Sequence, residues 1–159
     1  MKKLMALLLG LMCVFTMTAC GGSEEKAKDF AVEDLNAIVN AGAFSEELEE
    51  LDGDTAFMLY QLAEYGLARE DLTEAAVVRS AGATCEEGAV LIFSDSDKAA
   101  KAADAMGDYL EGQIESNVDY RPNEIPKLEG AILMTSGNTL LMVVPNDAAA
   151  VRNLFEYQN

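Results

Sequence analysis

The chain has 159 residues, with 11 basic and 28 acidic side chains, no His, no Trp and a formal net charge of -17. That charge repels a nucleic-acid backbone, so no nucleic-acid partner is expected. Without His, the Ser-His-Asp and Cys-His arrangements are excluded and the commonest metal ligand is missing. The length suits one domain.

Residues 1–19 open with Met1-Lys2-Lys3, continue through an uncharged apolar run from Leu4 to Met17, and reach Thr18-Ala19-Cys20. Fourteen apolar residues fall short of the about 20 that a membrane-spanning helix needs. A basic start before a short apolar core has the form of an export signal. Met17-Thr18-Ala19-Cys20 resembles the lipobox of bacterial lipoproteins, with Met17 where the pattern has Leu, Val or Ile. The resemblance implies a diacylglyceryl group on the Cys20 sulfur and cleavage that leaves Cys20 as the first residue. Two acyl chains give stable membrane attachment. Residues 20–28 then read as the lipidated Cys and a flexible tether, and residues 29–159 as a single domain.

Cys13 would leave with the signal and Cys20 would be acylated, so Cys85 is the remaining thiol and no intramolecular disulfide is expected. Glu86 and Glu87 beside it would raise its pKa. Cys85 therefore reads as a loop or small core residue rather than a nucleophile.

In chain order, residues 29–40 place Ala31, Leu35, Ile38 and Val39 at helical spacing, with Asp29 available as a cap. The acidic stretch 45–54 reads as a solvated loop or helix end. Asp52-Gly53-Asp54 invites a calcium loop, but Ala56 and Phe57 occupy its fifth and sixth positions, so the match fails. Residues 54–65 predict a second helix with Phe57, Met58, Leu62 and Tyr65 on one side and Gly66 as its stop. Residues 69–72 form a connecting turn.

The remainder repeats one outline. Residues 74–82 and 89–93 form two strands followed by a helix from Asp97 to about Asn117. Residues 129–137 and 140–144 form two more, followed by a helix from Asp147 to Tyr157. Gly137-Asn138 suits a two-residue hairpin turn. The first hairpin loop is longer. Ser94 or Ser96 could cap the first of these helices, whose apolar face carries Ala99, Ala103, Met106, Leu110 and Ile114. Gly107 and Gly112 inside it mark either a close contact or an early end. The last helix would pack through Ala150, Val151, Leu154 and Phe155. The expected fold is α+β: a four-stranded antiparallel sheet from a repeated strand-strand-helix unit, preceded by two N-terminal helices. Residues 89–93 and 140–144 are apolar throughout, so both sheet faces should be covered there. The two long helices would cover one face, and the N-terminal helices the other face or an edge.

Tyr65-Gly66-Leu67, the run EEGAVLIF from Glu86 to Phe93, the segment from Tyr120 to Leu128 and the final Gly137-Asn138 hairpin together resemble a family of small bacterial lipoproteins, mostly Gram-positive, known as domain of unknown function 4358. In the central segment Tyr120, Pro122, Glu124, Lys127 and Leu128 carry the likeness. The resemblance implies a compartment and a shared fold, and assigns no activity.

The segment from Tyr120 to Leu128 is also the compact mixture of functional groups in the chain. Pro122 and Pro126 disfavour helix there, so it is expected to be an extended loop. Tyr120, Arg121, Pro122, Glu124 and Lys127 are candidates for a binding loop in which Arg121 and Lys127 receive an anion. The structural alternative has Tyr120 buried, Pro122 stopping the helix and Glu124 paired with Arg121 or Lys127. No cofactor, metal site or catalytic residue is expected. The function this composition favours is a lipid-anchored extracytoplasmic binding or accessory module, held by membrane lipid and meeting an envelope protein or small ligand. A transporter's solute-capturing lipoprotein and a small carboxylate-based envelope enzyme are the alternatives.

Overall fold

The computed structural model describes residues 28–156. The expected signal segment 1–19, Cys20 and the tether up to residue 27 lie outside the described residues, as does the expected end of the last helix at Tyr157.

Helix α1 spans Val32–Asn40. Its entry is held by Asp34, whose carboxylate accepts from the Ala31 N–H at 2.8 Å, rather than by Asp29. Leu35 and Ile38 are buried and Val39 faces solvent. The acidic stretch that reads as a loop contains a short strand, β1, at Leu48–Leu51. Its pattern LEEL carries too little apolar content to announce a strand. Pairing supplies the conformation, because β1 lies antiparallel along the edge of β2 (Leu72–Ser80) with Leu51 opposite Val77. Glu49 and Glu50 on that outer strand suit an edge that must not recruit another chain.

The expected second helix is interrupted. Helix α2 covers Gly53–Leu59, capped by Asp52 accepting from the Thr55 N–H at 2.7 Å. The chain then turns through Gln61, at φ 51°, into a 3-10 helix at Leu62–Tyr65. One continuous helix could not turn both Tyr60 and Leu62 inward, since residues two apart point to different sides. The break buries both and leaves Met58 exposed.

Strand β3 (Glu87–Phe93) follows β2, and helix α3 (Ser96–Asn117) follows β3. Asp95, not Ser94 or Ser96, caps α3 by accepting from the Lys98 N–H at 2.9 Å. Gly107 and Gly112 mark neither a close contact nor an early end, as a side chain at either would meet open space. A 3-10 turn at Pro122–Glu124 and helix α4 (Ile125–Glu129) lead to β4 (Ile132–Ser136) and β5 (Thr139–Val144). Ser136 pairs with Thr139, so Gly137-Asn138 is the expected two-residue turn. Helix α5 covers Ala148–Glu156.

The five strands form one antiparallel sheet in the order β1-β2-β3-β5-β4. The repeated strand-strand-helix unit is present, and β1 is the added fifth strand. Alternation divides the central strands between two cores. Ala89, Leu91, Phe93, Leu140, Met142 and Val144 face one core with α2 and α3. Val90, Leu141 and Val143 face the other with Leu35 and Ile38 of α1 and Val151 of α5. The two long helices thus lie on opposite faces rather than sharing one. Helix α3 is 22 residues long, about 33 Å, and with α2 it occupies its face. The remaining apolar row needs α1 and α5. Backbone N–H groups of Asn146 and Asp147, just before α5, both donate to the Ala43 carbonyl after α1 and tie that layer together.

Leu140 and Leu141 are each fully buried, on opposite faces. Replacing either with Ala should cost about 2–5 kcal/mol, whereas Met134→Ala at a position 40% exposed should cost less than about 1 kcal/mol. Urea unfolding of the three variants checks this; a cheap Leu141→Ala would mean that the α1–α5 layer is not packed.

Candidate functional site

The apolar rows of the α3-facing core stop at one end of the sheet. In the next cross-strand row Glu49, Arg79 and Glu87 on β1, β2 and β3 are polar, and Val144 on β5 stays apolar. Residues paired across strands share a face, so Arg79 and Glu87 look toward the C-terminal end of α3. There the helix shows Tyr109, Gln113 and Asn117 at four-residue steps, one stripe on its surface. Arg121 continues that spacing just past the helix. Between stripe and sheet lies a polar cavity of about 190 Å³, walled on its third side by Thr84, Cys85 and Glu86 of the long β2–β3 loop.

Glu87 is 4% exposed. The hydroxyls of Tyr60 and Tyr109 each donate to one of its carboxylate oxygens, at 2.6 and 2.8 Å. The two rings meet edge to face, 5.1 Å between centroids. Burial pushes the Glu87 pKa above its ordinary value, and the tyrosine hydrogen bonds and the nearby charge of Arg79 only partly oppose it. The same burial, with the Glu87 charge, raises Tyr60 and Tyr109.

Its neighbour Glu86 is buried in a different setting. It accepts from the Ser45 N–H at 2.6 Å, the Ser45 hydroxyl at 2.5 Å and the Lys127 ammonium at 2.8 Å. Burial pushes Glu86 upward, but the hydrogen bonds from Lys127 and Ser45 outweigh it and hold the carboxyl below its usual range. Lys127 also reaches Glu124 at 3.2 Å, and Glu124 accepts from the Cys85 N–H at 2.9 Å. Glu46 fastens the loop from its other side through Ser80 and Thr84.

The segment from Tyr120 to Leu128 is therefore divided among roles. Arg121 lines the cavity and donates to the Thr84 carbonyl at 3.3 Å. Glu124 and Lys127 brace the cavity wall, and Lys127 is committed to two carboxylates. Tyr120 is 76% exposed, its ring 5.4 Å from the Arg121 guanidinium, so it is not buried. Pro122 opens the 3-10 turn. The segment is helical rather than extended because both prolines occupy first-turn positions, where no N–H is required. Cys85 is half-buried, and burial raises its thiol pKa against the pull of Arg121.

Sequence reasoning did not assemble Arg79, Glu87, Tyr60, Tyr109, Gln113 and Asn117. The signal it passed over is the four-residue stripe of polar groups from Tyr109 to Arg121, continuing an otherwise apolar helix face. Among the described residues no group of three or more Cys, Asp and Glu is arranged to hold a metal ion.

The family described as Domain of unknown function (DUF4358) matches residues 45–145, which include every residue lining this cavity. No curated protein and no solved structure matches the chain.

Two outcomes follow from these carboxylates. Lys127→Met leaves Glu86 buried without its cation and should cost about 3 kcal/mol, read by urea unfolding at neutral pH; an unchanged midpoint would dismiss the brace. Glu87 behaves oppositely with pH. A carboxyl raised in the fold contributes fully below its unfolded value, and that contribution is lost as pH rises through the folded value. Glu87→Gln should therefore gain stability relative to wild type as pH is raised from below 4.5, the ordinary value, through the raised folded value. A pH-independent difference between the two melting curves would contradict the raised carboxyl.

Proposed function

We propose, from the premise that this chain belongs to the DUF4358 family, that it is a lipid-anchored extracytoplasmic binding module without covalent chemistry of its own, and that its ligand site is the polar cavity beneath Asn117. The observation that carries the binding role is Arg79. It lines the cavity and has no hydrogen bond or ion pair among the described residues, although its charge acts on Glu87. A half-buried cation whose N–H groups donate to no protein acceptor in a preformed cavity is an arrangement a ligand completes. Several features support a module that binds rather than reacts. The thiol of Cys85 is raised by burial, Glu87 is engaged by two tyrosines, and no His is present.

The lipobox-like Met17 to Cys20 supports the anchor. Among the described residues no helix is long and apolar enough to cross a membrane. The excess of acidic over basic residues would hold the domain away from anionic headgroups. The cavity gives some weight to solute capture beside a transporter, one form this role could take.

Fatty-acid probe labelling in cells should mark the wild-type chain and not Cys20→Ala, which should leave the membrane fraction. Native mass spectrometry of the membrane-extracted protein should show a population carrying one small molecule, lost when Asn117→Phe fills the cavity. Equal labelling of both chains removes the anchor; a protein that never carries a small molecule removes the binding role.

A further inference from the structure

The geometry points to a small monocarboxylate as the occupant of this cavity, its carboxylate held between Arg79 and Arg121. This rests on the reading of the cavity as a ligand site and names the chemistry that site selects.

Five basic side chains are half-buried among the described residues: Arg69, Arg79, Lys98, Arg121 and Lys127. Three of them meet carboxylates, Arg69 with Asp54, Lys98 with Asp71, and Lys127 with Glu86 and Glu124. The two that meet none both line the cavity. In a chain with 28 acidic residues, two half-buried cations without an ion pair at one place are not explained by scarcity of partners. Arg121 donates to the Thr84 carbonyl and lies beside the Cys85 thiol, which does not exhaust the five N–H donors of a guanidinium. Arg79 lies opposite Glu87 in the sheet register, yet they form no ion pair, because the Glu87 oxygens are turned to Tyr60 and Tyr109. Guanidinium groups present planar, paired donors that match a carboxylate or a phosphate.

Size decides between those two: a volume of about 190 Å³ leaves room beside the charged head for the body of an organic acid, which inorganic phosphate lacks. Leu128 and Val144 contribute a small apolar share to a mainly polar lining. The volume of about 190 Å³ somewhat exceeds the roughly 150 Å³ that accommodates benzene, and so fits a carboxylate of pentanoate or benzoate size.

The test uses the full chain in detergent, melted and titrated calorimetrically with sodium pentanoate, benzoate, inorganic phosphate and pentylamine at matched ionic strength. Pentanoate or benzoate should bind saturably and raise the melting temperature. Affinity should fall about tenfold or more in Arg79→Gln and in Arg121→Gln, with Arg79→Lys retaining part of it. Melting without ligand shows whether each variant folds. If one does not, the Arg79 and Arg121 side-chain N–H resonances of the wild type should still shift on adding pentanoate. Binding of phosphate or pentylamine alone would overturn the carboxylate and leave the cavity as a ligand site. Carboxylate binding that both Gln variants retain, or that moves neither arginine resonance, would place the ligand elsewhere and overturn the proposal. Absence of binding by either carboxylate overturns it as well. The native-mass measurement then separates the two failures: a small molecule carried by wild type and lost in Asn117→Phe keeps the binding role, and none at all removes both.

Discussion

Two consecutive carboxylates, Glu86 and Glu87, are buried where the central strand β3 begins, 1% and 4% exposed. Burying a charged group is unfavourable unless hydrogen bonds or an opposite charge satisfy it, and much of the polar architecture follows from that requirement. Glu86 draws in Ser45, from the segment before β1, and Lys127 of α4. Glu87 draws in Tyr60 at the end of α2 and Tyr109 of α3. Four segments distant in sequence are thereby fixed around one dipeptide. The two acids solve the same problem differently: Glu86 keeps its charge beside an ammonium, while Glu87 is held by neutral donors and its charged form is disfavoured.

The cavity is a consequence of the same arrangement. The tyrosines that satisfy Glu87 turn it away from Arg79, and the brace built on Glu86 holds the long β2–β3 loop upright as a wall. Glu124 secures that loop at the Cys85 N–H and Glu46 secures it at Thr84. The ion pairs involved are short and interlocked rather than scattered on the surface, where such pairs contribute little. The site thus sits on three strands, the long helix α3 and α4, with its β2–β3 loop wall restrained from several directions.

The pattern of hits and misses along the chain has physical causes. The strands β2 to β5 and α3 announce themselves because their apolar runs or helical periodicity reflect burial that each segment needs on its own. β1 does not, because LEEL becomes a strand through pairing with β2, not through its own composition. The interruption at Gln61 is hidden for a similar reason. Nothing local favours a positive φ at Gln; the demand comes from placing Tyr60 against Glu87 and Leu62 in the core. At residues 122–129 the prolines have the look of breakers, although at first-turn positions they initiate helix. Among the candidate loop residues, Arg121, Glu124 and Lys127 gather about the cavity, and Tyr120 is exposed beside Arg121 without lining it.

Local chemistry alone determines the charge, the exclusion of His-based catalysis, the lipobox-like start, the repeated strand-strand-helix unit and the Gly137-Asn138 turn. Each of these is carried by residues adjacent in the chain. Tertiary structure alone decided that α3 and α5 take opposite faces, that an acidic segment becomes the fifth strand, and that Arg79 and Arg121 share one cavity. Those outcomes depend on which segment reaches an exposed apolar row or an unsatisfied carboxylate once the sheet has formed, and no stretch of sequence carries that information by itself.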